Sequence, residues 1–516
     1  MSQREKINIV PFGSISDANL RLKLERLGKL FKRSTKTTPD YFIRAPGRVN
    51  LIGDHVDYHE FPVLPMAIQK NVWLVCSFYP KRENLEGLLG ISRGSDKSDS
   101  LKIYNEDDAI FFPFASDHSL SYGNTLDPVE DWYAYILCGY HGVLANRLLG
   151  VKSKDTLEHA KIATSAASGE DDLAKLLDTS MLISSDLPSD SGLSSSSALV
   201  CASAVATHLL LSESMMTERL ALDLDSRQIA EDCSYYEHLI GTRGGGMDQA
   251  VIMTAHEGFA KQIEFYPHLS CTDVRLPDGL HWLVALSGVY YPKAATIGYN
   301  TRVMETKLGA SLIAKFMAAN GSPQLPIDKS ITLGRVHRTY FMGRTADEVA
   351  SLMDRVFVQD PASLDEISES LEIPLDELPE KFGFSNRMLE DLGDSKLELR
   401  VRCEHVFEEA ERVRKFVHIC QSEPENHQAL GKLMTESHAS LRDKYRCSHK
   451  KVDKLVETAL DSGALGARVT GAGWGGCIVA LVEDESLHRV FPALYDISEF
   501  VFKTQPHSGC SVVKAN

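Results

Sequence analysis

A run of four serines at residues 194–197 constrains the fold of this chain more than any other feature. Gly192 precedes the run and allows the backbone to turn tightly, and the apolar stretch ALVCASAVA follows it. Serine hydroxyls are favoured at helix N-termini, where the first N–H groups lack intrahelical partners. The pattern therefore predicts a helix that begins at the serines. Its N–H groups, dipole and hydroxyls together suit a multiply charged anion such as a triphosphate.

The same run has a second interpretation, a structural helix that is capped by serine and binds no ligand. No lysine follows the serines, and the Walker pattern G-x-x-x-x-G-K-[ST] does not occur in the sequence. A nucleotide site at this helix would therefore belong to a family other than the P-loop proteins.

A second glycine-rich segment, TGAGWGGC at residues 470–477, contains the spacing G-x-G-x-x-G of dinucleotide-binding folds. That motif must follow a strand and begin a helix. The residues that follow here, CIVALV, are instead typical of a strand. We interpret the segment as a glycine turn between two strands, which is either a simple hairpin or a loop whose backbone approaches a ligand closely.

Polar residues crowd into a third segment, RVNLIGDHVDY at residues 48–58. Charged side chains at this density beside an apolar strand are costly unless they pair with each other or face a polar ligand. Short acids together with a histidine and a tyrosine match the hydroxyl groups of a sugar. The segment therefore predicts a polyol pocket.

A fourth segment, GGGMDQ at residues 244–249, places Asp248 directly after three glycines. Taken alone, Asp248 is also a candidate helix cap. Taken together, the four segments supply a phosphate cradle, a sugar pocket, and an arginine and an aspartate that can act on a hydroxyl group. Because phosphoryl transfer depends mainly on positioning and charge stabilisation, this set predicts a phosphotransferase.

The length of the chain, 516 residues, predicts two domains, and we place their boundary near residue 256. Residues 1–20 are interpreted as a loosely attached extension. Residues 83–130 and 150–178 are rich in small and polar residues and are interpreted as surface insertions that interrupt the fold.

Charge and cysteine content narrow the partners and the location. The 71 acidic and 55 basic residues give a formal charge of −16, which argues against nucleic-acid and anionic membrane partners. The ten cysteines form no Cys-x-x-Cys pair and are expected to be reduced core residues. Neither an apolar signal core nor a run of about 18 apolar residues is found. We therefore expect a cytoplasmic protein whose partner is a small molecule or another protein.

The four segments, in this order, resemble the motifs of the GHMP family of small-molecule kinases, and most closely its eukaryotic branch of galactokinases and N-acetylgalactosamine kinases. Similarity through DWYAYILCGYHG and LGKLMTESHASLRDKYRCS extends the resemblance over most of residues 20–510. It implies an N-terminal α/β domain with a mixed sheet, residues 20–255, which includes a sugar-binding signature at about 35–70. It further implies a C-terminal α+β domain, residues 256–516, with the active site between the two domains.

Carried over position by position, the resemblance implies that Asp248 is the carboxylate facing the sugar's anomeric hydroxyl and that Arg48 is the cation beside it. It implies a phosphate loop at residues 190–198, and Mg²⁺ or its waters at Ser196 and Glu237. The implied sugar contacts are Asp54, His55, Asp57 and Tyr299. The implied ATP contacts are Gly192, Ser194, Ser195, Ser196, Trp132, Tyr135, Gly471 and Gly473.

The activity that the resemblance implies is ATP-dependent phosphorylation of α-D-galactose at its anomeric hydroxyl. Two alternatives stay open: the same chemistry on N-acetylgalactosamine, and a galactose- and ATP-binding transcriptional co-regulator without turnover. The sequence departs from the family at two positions. Asp54 stands where the family normally has Glu, so a sugar hydroxyl is expected to be held less directly or through water. Ser197 replaces a common alanine.

Overall fold

The computed structural model describes residues 6–79, 101–107, 111–116, 132–149, 178–214, 224–240, 244–291 and 297–515. Its strands are β1 (Asn8–Pro11), β2 (Tyr41–Ile52), β3 (Leu64–Tyr79), β4 (Leu101–Asn105), β5 (Phe114–Ser116), β6 (Asp178–Ser185), β7 (Phe259–Glu264), β8 (Ser270–Arg275), β9 (Leu280–Leu286), β10 (Gly466–Thr470), β11 (Cys477–Glu483), β12 (Phe500–Thr504) and β13 (Ser511–Lys514).

The α-helices of the described residues alternate with these strands and dominate the second half. They are α1 (Ala18–Thr35), α2 (Ala134–Leu149), α3 (Ser195–Ser214), α4 (Ser226–Tyr236), α5 (Met247–Thr254), α6 (Ile297–Ala319), α7 (Leu333–Val336), α8 (Ala346–Val356), α9 (Leu364–Leu371), α10 (Leu378–Phe382), α11 (Asn386–Leu392), α12 (Leu399–Ser422), α13 (His427–Ser440), α14 (Lys450–Asp461) and α15 (Asp484–Tyr495).

The first sheet is mixed and has the strand order β1-β13-β2-β3-β6-β4-β5. Successive side chains of a strand point to opposite faces. On β3, Trp73 and Val75 face a small apolar cluster beneath α1, whereas Leu74 and Cys76 face the main core. Helix α3 packs on β2 and β3, and α2 packs on α3. The sheet is thus covered on both faces, as an α/β layer structure requires.

The second sheet is antiparallel, with the order β10-β11-β9-β12. Helices α13 and α14 pack against β10, α15 packs against β9, and α6 packs against α12. Pairing of Thr470 with Cys477 closes the β10–β11 hairpin, so the prediction of a glycine turn between two strands is confirmed. The predicted fold class, an α/β part with a mixed sheet followed by an α+β part, is confirmed.

Two sequence-based expectations about the first sheet are wrong. The segment 1–20 is more than a loose extension, because Asn8–Pro11 pairs in parallel with β13. The segment 83–130 does more than interrupt the fold, because Leu101–Asn105 pairs in parallel with β6. In both cases the strand is short and its partner is distant in sequence, so local composition does not indicate that the segment joins the sheet. The proposed insertion at 150–178 lies outside the described residues except for its last position.

The division into residues 20–255 and 256–516 stays a prediction, but the chain crosses between the two halves at its end. Strand β13, which we had assigned to the second domain, pairs antiparallel with β2 in the first sheet. The main apolar cluster also contains residues from both sheets, so the two halves share one continuous core.

Helix α3 begins at Ser195, which confirms the predicted helix start. By length and composition it is the one described helix apolar enough to cross a bilayer, and 78% of its apolar window is buried inside the protein. That degree of burial is typical of a core helix. Nine of the ten cysteines are buried, which confirms the predicted core positions for those nine.

Candidate active site

Two adjoining cavities lie where the serine run, the β10–β11 hairpin and the segment 48–58 meet. The large cavity encloses about 1000 Å³ and is lined by the serine run, the hairpin and residues of α1 and α2. The small cavity is lined by the segment 48–58, residues 244–249 and Tyr299. Arg48, Asp248 and Ala472 line both cavities and therefore mark their junction.

An ion pair stands at this junction. Arg48, on β2, donates from Nε to Asp248 Oδ1 at 2.8 Å, and the side chains are only 4% and 16% exposed. Arg48 Nη1 also donates to the carbonyl oxygen of Gly192. Asp248 lies in the first turn of α5, where the helix dipole favours a carboxylate. The pair therefore presents a fixed positive and a fixed negative charge to whatever occupies the two cavities.

The serine run lines the large cavity, and its backbone is held by the glycine hairpin. Gly192 has a φ of +78° and Gly471 a φ of +83°, and a Cβ on Gly471 would lie 2.5 Å from the Gly192 carbonyl oxygen. Only residues without a side chain permit this backbone contact. The hairpin thus supports the serine run from below.

Ser194 carries the clearest sign of an anion site. Its side chain is 7% exposed, its φ is +61°, and its Oγ has no hydrogen-bond partner among the described residues. A buried hydroxyl that lacks a partner costs free energy, and such groups concentrate at functional sites. Because Ser194 lines the large cavity beside the N-terminus of α3, a phosphate oxygen would satisfy it.

The remaining predicted ATP residues also reach these cavities. Trp132, Tyr135, Ser195, Ser196 and Gly473 line the large cavity, and Gly471 lines the small one. Trp132 donates from Nε1 to the Phe112 carbonyl at 3.1 Å, which fixes the plane of the indole.

Tyr135 lies near acidic groups. Burial raises the pKa of its phenol, and the carboxylates of Glu237 and Asp190 raise it further. The phenol therefore stays protonated at neutral pH and can donate a hydrogen bond into the large cavity.

The small cavity combines short acids with aromatic rings. Asp57 Oδ2 accepts from the Gly245 amide at 3.1 Å, and the Tyr299 ring is 4% exposed. Burial and then the Asp57 charge raise the pKa of Tyr299 well above its usual value. His55 packs 5.5 Å from the Tyr299 ring, and its two ring nitrogens lie 3.0 Å from Tyr58 Oη and from the Ala472 carbonyl oxygen.

Asp54 also lines the small cavity, but its carboxylate is engaged by the protein. Oδ1 accepts from Asn50 Nδ2 at 2.9 Å, and Oδ2 is paired with the buried guanidinium of Arg468. Burial raises the pKa of Asp54 to about 6, although Arg468 and Asn50 oppose the rise. The shorter side chain at this position therefore serves the ion pair with Arg468, a partner that no local sequence pattern indicates.

The predicted metal residues lie on either side of the junction. Glu237, at the start of the 3₁₀-helix Glu237–Ile240, is 4% exposed and lines the small cavity, whereas Ser196 lines the large one. Within the described parts of the chain, no cluster of three or more His, Cys, Asp or Glu side chains could hold a metal. Mg²⁺ commonly takes only one or two carboxylates together with phosphates and water. One carboxylate and one hydroxyl beside a phosphate site therefore fit Mg²⁺.

Several residues of the large cavity were not identified from the sequence: Lys23, Arg26, Glu106 and Tyr291. Lys23 and Arg26 lie on α1 at a spacing of three residues, next to the face that buries Leu24 and Leu27. This spacing is also that of any exposed helix face, so it gave no usable signal. Asp190 lies within the predicted phosphate loop and also lines the large cavity.

Three family models match the chain. The galactokinase galactose-binding signature matches residues 29–78, the GHMP kinase N-terminal domain matches residues 156–256, and the GHMP kinase C-terminal model matches residues 414–495. The first match contains the segment 48–58, and the second contains the serine run and Asp248. The third contains the glycine hairpin.

Curated relatives match over nearly the whole chain. The galactokinase of Dictyostelium discoideum is 29% identical over 92% of this chain and 88% of its own length. The galactokinase of Saccharomyces cerevisiae is 27% identical over 93% and 90%, respectively. A crystal structure of Lactococcus lactis galactokinase complexed with galactose has the same fold, with a TM-score of 0.65 and 21% identity over 95% of this chain and 99% of that one.

Proposed function

Starting from the fact that the chain belongs to the GHMP kinase family, we propose that it is a galactokinase, which transfers the γ-phosphoryl group of ATP to the anomeric hydroxyl of α-D-galactose. The observation that carries the proposal is the Arg48–Asp248 ion pair at the junction of the two cavities. A nucleotide and a sugar in adjoining cavities would bring their reacting groups together there. The curated galactokinases that match over most of the chain support this activity.

The large cavity suits ATP. Its volume of about 1000 Å³ lies within the range of small-molecule sites. The triphosphate would lie against the N-terminus of α3, where Ser194, Ser195 and Ser196 offer hydroxyls and backbone N–H groups. Trp132 and Tyr135 would face the rest of the nucleotide. Glu237 and Ser196 would hold Mg²⁺, which, when bound, neutralises charge on the phosphates.

The groups at the wall of the small cavity suit a sugar, since Asp57 and Tyr299 present a carboxylate and a hydroxyl there. The anomeric hydroxyl would face Asp248, and this carboxylate would orient it and take its proton. A bond then forms between the sugar oxygen and the γ-phosphorus, and the bond to the β-phosphate bridging oxygen breaks, so that ADP leaves. Arg48 stabilises the charge on the transferring group.

A phosphoryl-transfer assay with ATP, Mg²⁺ and a panel of sugars tests the proposal. We expect α-D-galactose to be phosphorylated at its anomeric oxygen and to give the highest kcat/KM. A higher kcat/KM for N-acetylgalactosamine than for galactose would identify the protein as an N-acetylgalactosamine kinase instead. Tight binding of galactose and ATP without turnover would replace it with a ligand-sensing role.

Ser196→Ala tests the metal assignment. Loss of a ligand should weaken productive use of Mg·ATP by about 1 to 3 kcal/mol and alter the dependence of the rate on magnesium. An unchanged magnesium dependence would remove Ser196 from the metal site.

The cytoplasmic location stays a prediction.

A further inference from the structure

The side chain of His55 is hydrogen-bonded at both ring nitrogens, on one side to the nearby Tyr58 and on the other to the distant Ala472. Nδ1 lies 3.0 Å from Tyr58 Oη, and Nε2 lies 3.0 Å from the carbonyl oxygen of Ala472. Tyr58 Oη in turn lies 2.6 Å from Tyr445 Oη. We call the series Tyr445, Tyr58, His55 and Ala472 the tyrosine chain.

The chemistry of the groups sets the direction of these bonds. A carbonyl oxygen only accepts, so His55 Nε2 must carry the proton that Ala472 accepts. In a neutral imidazole the other nitrogen is then an acceptor, so Tyr58 donates its hydroxyl proton to Nδ1. Because the hydroxyl proton of Tyr58 is donated to His55, Tyr58 Oη accepts a hydrogen bond from Tyr445 Oη. His55 is 5% exposed, and burying an imidazolium there would cost more than burying the neutral ring.

The far end of the tyrosine chain, Tyr445, is held in place by the surrounding protein. Tyr445 is fully buried at the end of the π-helix Leu441–Tyr445, and Arg302 Nε donates to its carbonyl oxygen at 2.7 Å. The Tyr445 ring packs 4.6 Å from the His55 ring and 4.5 Å from the His405 ring. The tyrosine chain therefore begins at a buried residue in the second half of the protein.

The near end of the tyrosine chain is Ala472, one of the three residues that line both cavities. Ala472 lies between Gly471 and Gly473, whose φ values are +83° and +87°. Glycine adopts more backbone conformations than other residues, so the flanking positions by themselves do not fix the Ala472 peptide. The hydrogen bond from His55 holds the Ala472 carbonyl toward a side chain that lines the small cavity.

From this geometry we propose that the tyrosine chain positions the Ala472 peptide between the nucleotide and the sugar, with Tyr58 and Tyr445 as positioning residues and His55 held as the neutral Nε2–H tautomer. The inference rests on the proposed function for the identity of the two ligands. It gives His55 a role that reaches both substrates, whereas Asp57, which lines only the small cavity, should affect the sugar alone.

Direct binding by titration calorimetry tests the proposal without turnover. The ligands are galactose and a non-hydrolysable ATP analogue with Mg²⁺. Tyr58→Phe removes the donor to His55, so both affinities should fall by about tenfold. Tyr445→Phe leaves Tyr58 bonded to His55 and should have a smaller effect on both. Tyr140→Phe, which also removes a fully buried hydroxyl but lies outside both cavities, is the matched control and should bind like the parent.

The tautomer is measured separately by ¹⁵N NMR of the full chain labelled at histidine, with His55 assigned by loss of its signals in His55→Gln. The expected parent spectrum shows a protonated Nε2 and an unprotonated Nδ1, and Tyr58→Phe should shift the Nδ1 resonance. A parent His55 that is protonated at Nδ1, or a folded Tyr58→Phe that binds both ligands like the parent, would overturn the proposal. Because neither readout needs turnover, a failed galactokinase assay would leave this test intact.

Discussion

Arg468 on β10 forms a buried ion pair with Asp54, which lies 414 positions earlier in the chain. Glu409 on α12 lies 3.9 Å from the same guanidinium and accepts from the Gly53 amide at 2.8 Å. Burial would raise the pKa of Glu409, but Arg412 and Arg468 outweigh it and lower the pKa to about 2. These charges fix the turn at residues 53–54, which forms a wall of the small cavity, to the helices of the second half.

The raised pKa of Asp54 predicts a pH-dependent contribution to stability. Its pKa of about 6 in the folded protein lies above the usual aspartate value of 3.8, so between these values the folded protein holds a proton that the unfolded chain has lost. The stability from this proton is present at low pH and is lost as pH rises toward about 6, by up to about 3 kcal/mol. The free energy of unfolding of the parent, relative to Asp54→Asn, should therefore fall across this range in denaturant titrations. A difference that stays constant or grows with pH would contradict the assignment.

Replacement of Asp248 by Asn should separate catalysis from binding. The substitution preserves shape but removes the charge that orients and deprotonates the anomeric hydroxyl, so kcat should fall by roughly 10²-fold or more while both substrates still bind. Asp225→Asn is a matched control, because Asp225 also stands at a helix N-terminus and Asn caps a helix equally well. Turnover by folded Asp248→Asn within about threefold of the parent would refute the catalytic role.

Ser194→Ala should weaken nucleotide binding without weakening the free protein. Because Ser194 Oγ is buried with no partner among the described residues, its removal should leave the thermal midpoint of the ligand-free protein unchanged or higher. Binding of an ATP analogue should weaken by about 1 to 3 kcal/mol, as calorimetry would show. Ser203→Ala is the control, since Ser203 Oγ is already bonded to the Val200 carbonyl. Equal nucleotide affinity in Ser194→Ala and the parent would exclude a phosphate contact.

Asp57→Ala should impair use of the sugar far more than use of ATP. A site built to bond a hydroxyl loses affinity when its partner is removed, and Asp57 lines the small cavity alone. We expect a raised KM for galactose and a nearly unchanged KM for ATP in steady-state assays. Similar changes in both KM values, together with a lower thermal midpoint, would indicate a folding defect instead.

Gly471→Ala should disable nucleotide binding through a backbone clash. The new Cβ would lie 2.5 Å from the Gly192 carbonyl oxygen and would push the hairpin away from the serine run. Gly258→Ala is matched in backbone strain, with a φ of +85°, but its Cβ would meet no atom within 4 Å. Both variants should lose about 1 kcal/mol of stability from the left-handed conformation, but only Gly471→Ala should lose ATP binding. Equal ATP affinity in the two variants would refute the close contact.

The sequence by itself determined the local elements of the site. The serines that begin α3, the glycine turn between β10 and β11, and the position of Asp248 in the first turn of a helix were all readable, because helix starts and glycine turns depend on neighbouring residues. The alternative that Asp248 caps its helix is wrong, because Gly246 occupies the N-cap position and no described side chain caps the helix. The family motifs likewise identified Arg48 as a residue of the site. These features need no knowledge of the path of the chain.

Only the tertiary structure decided how these elements meet. The pairing of β13 with β2, the Asp54–Arg468 ion pair and the hydrogen bond between Tyr58 and Tyr445 each join residues hundreds of positions apart. Hydrophobic periodicity gives the face on which a side chain lies but not the partner that it meets across the core. The resemblance implied that Asp54 and His55 contact the sugar, and the fold adds protein partners for both, because the path of the backbone brings the distant Arg468 and Ala472 within hydrogen-bonding distance.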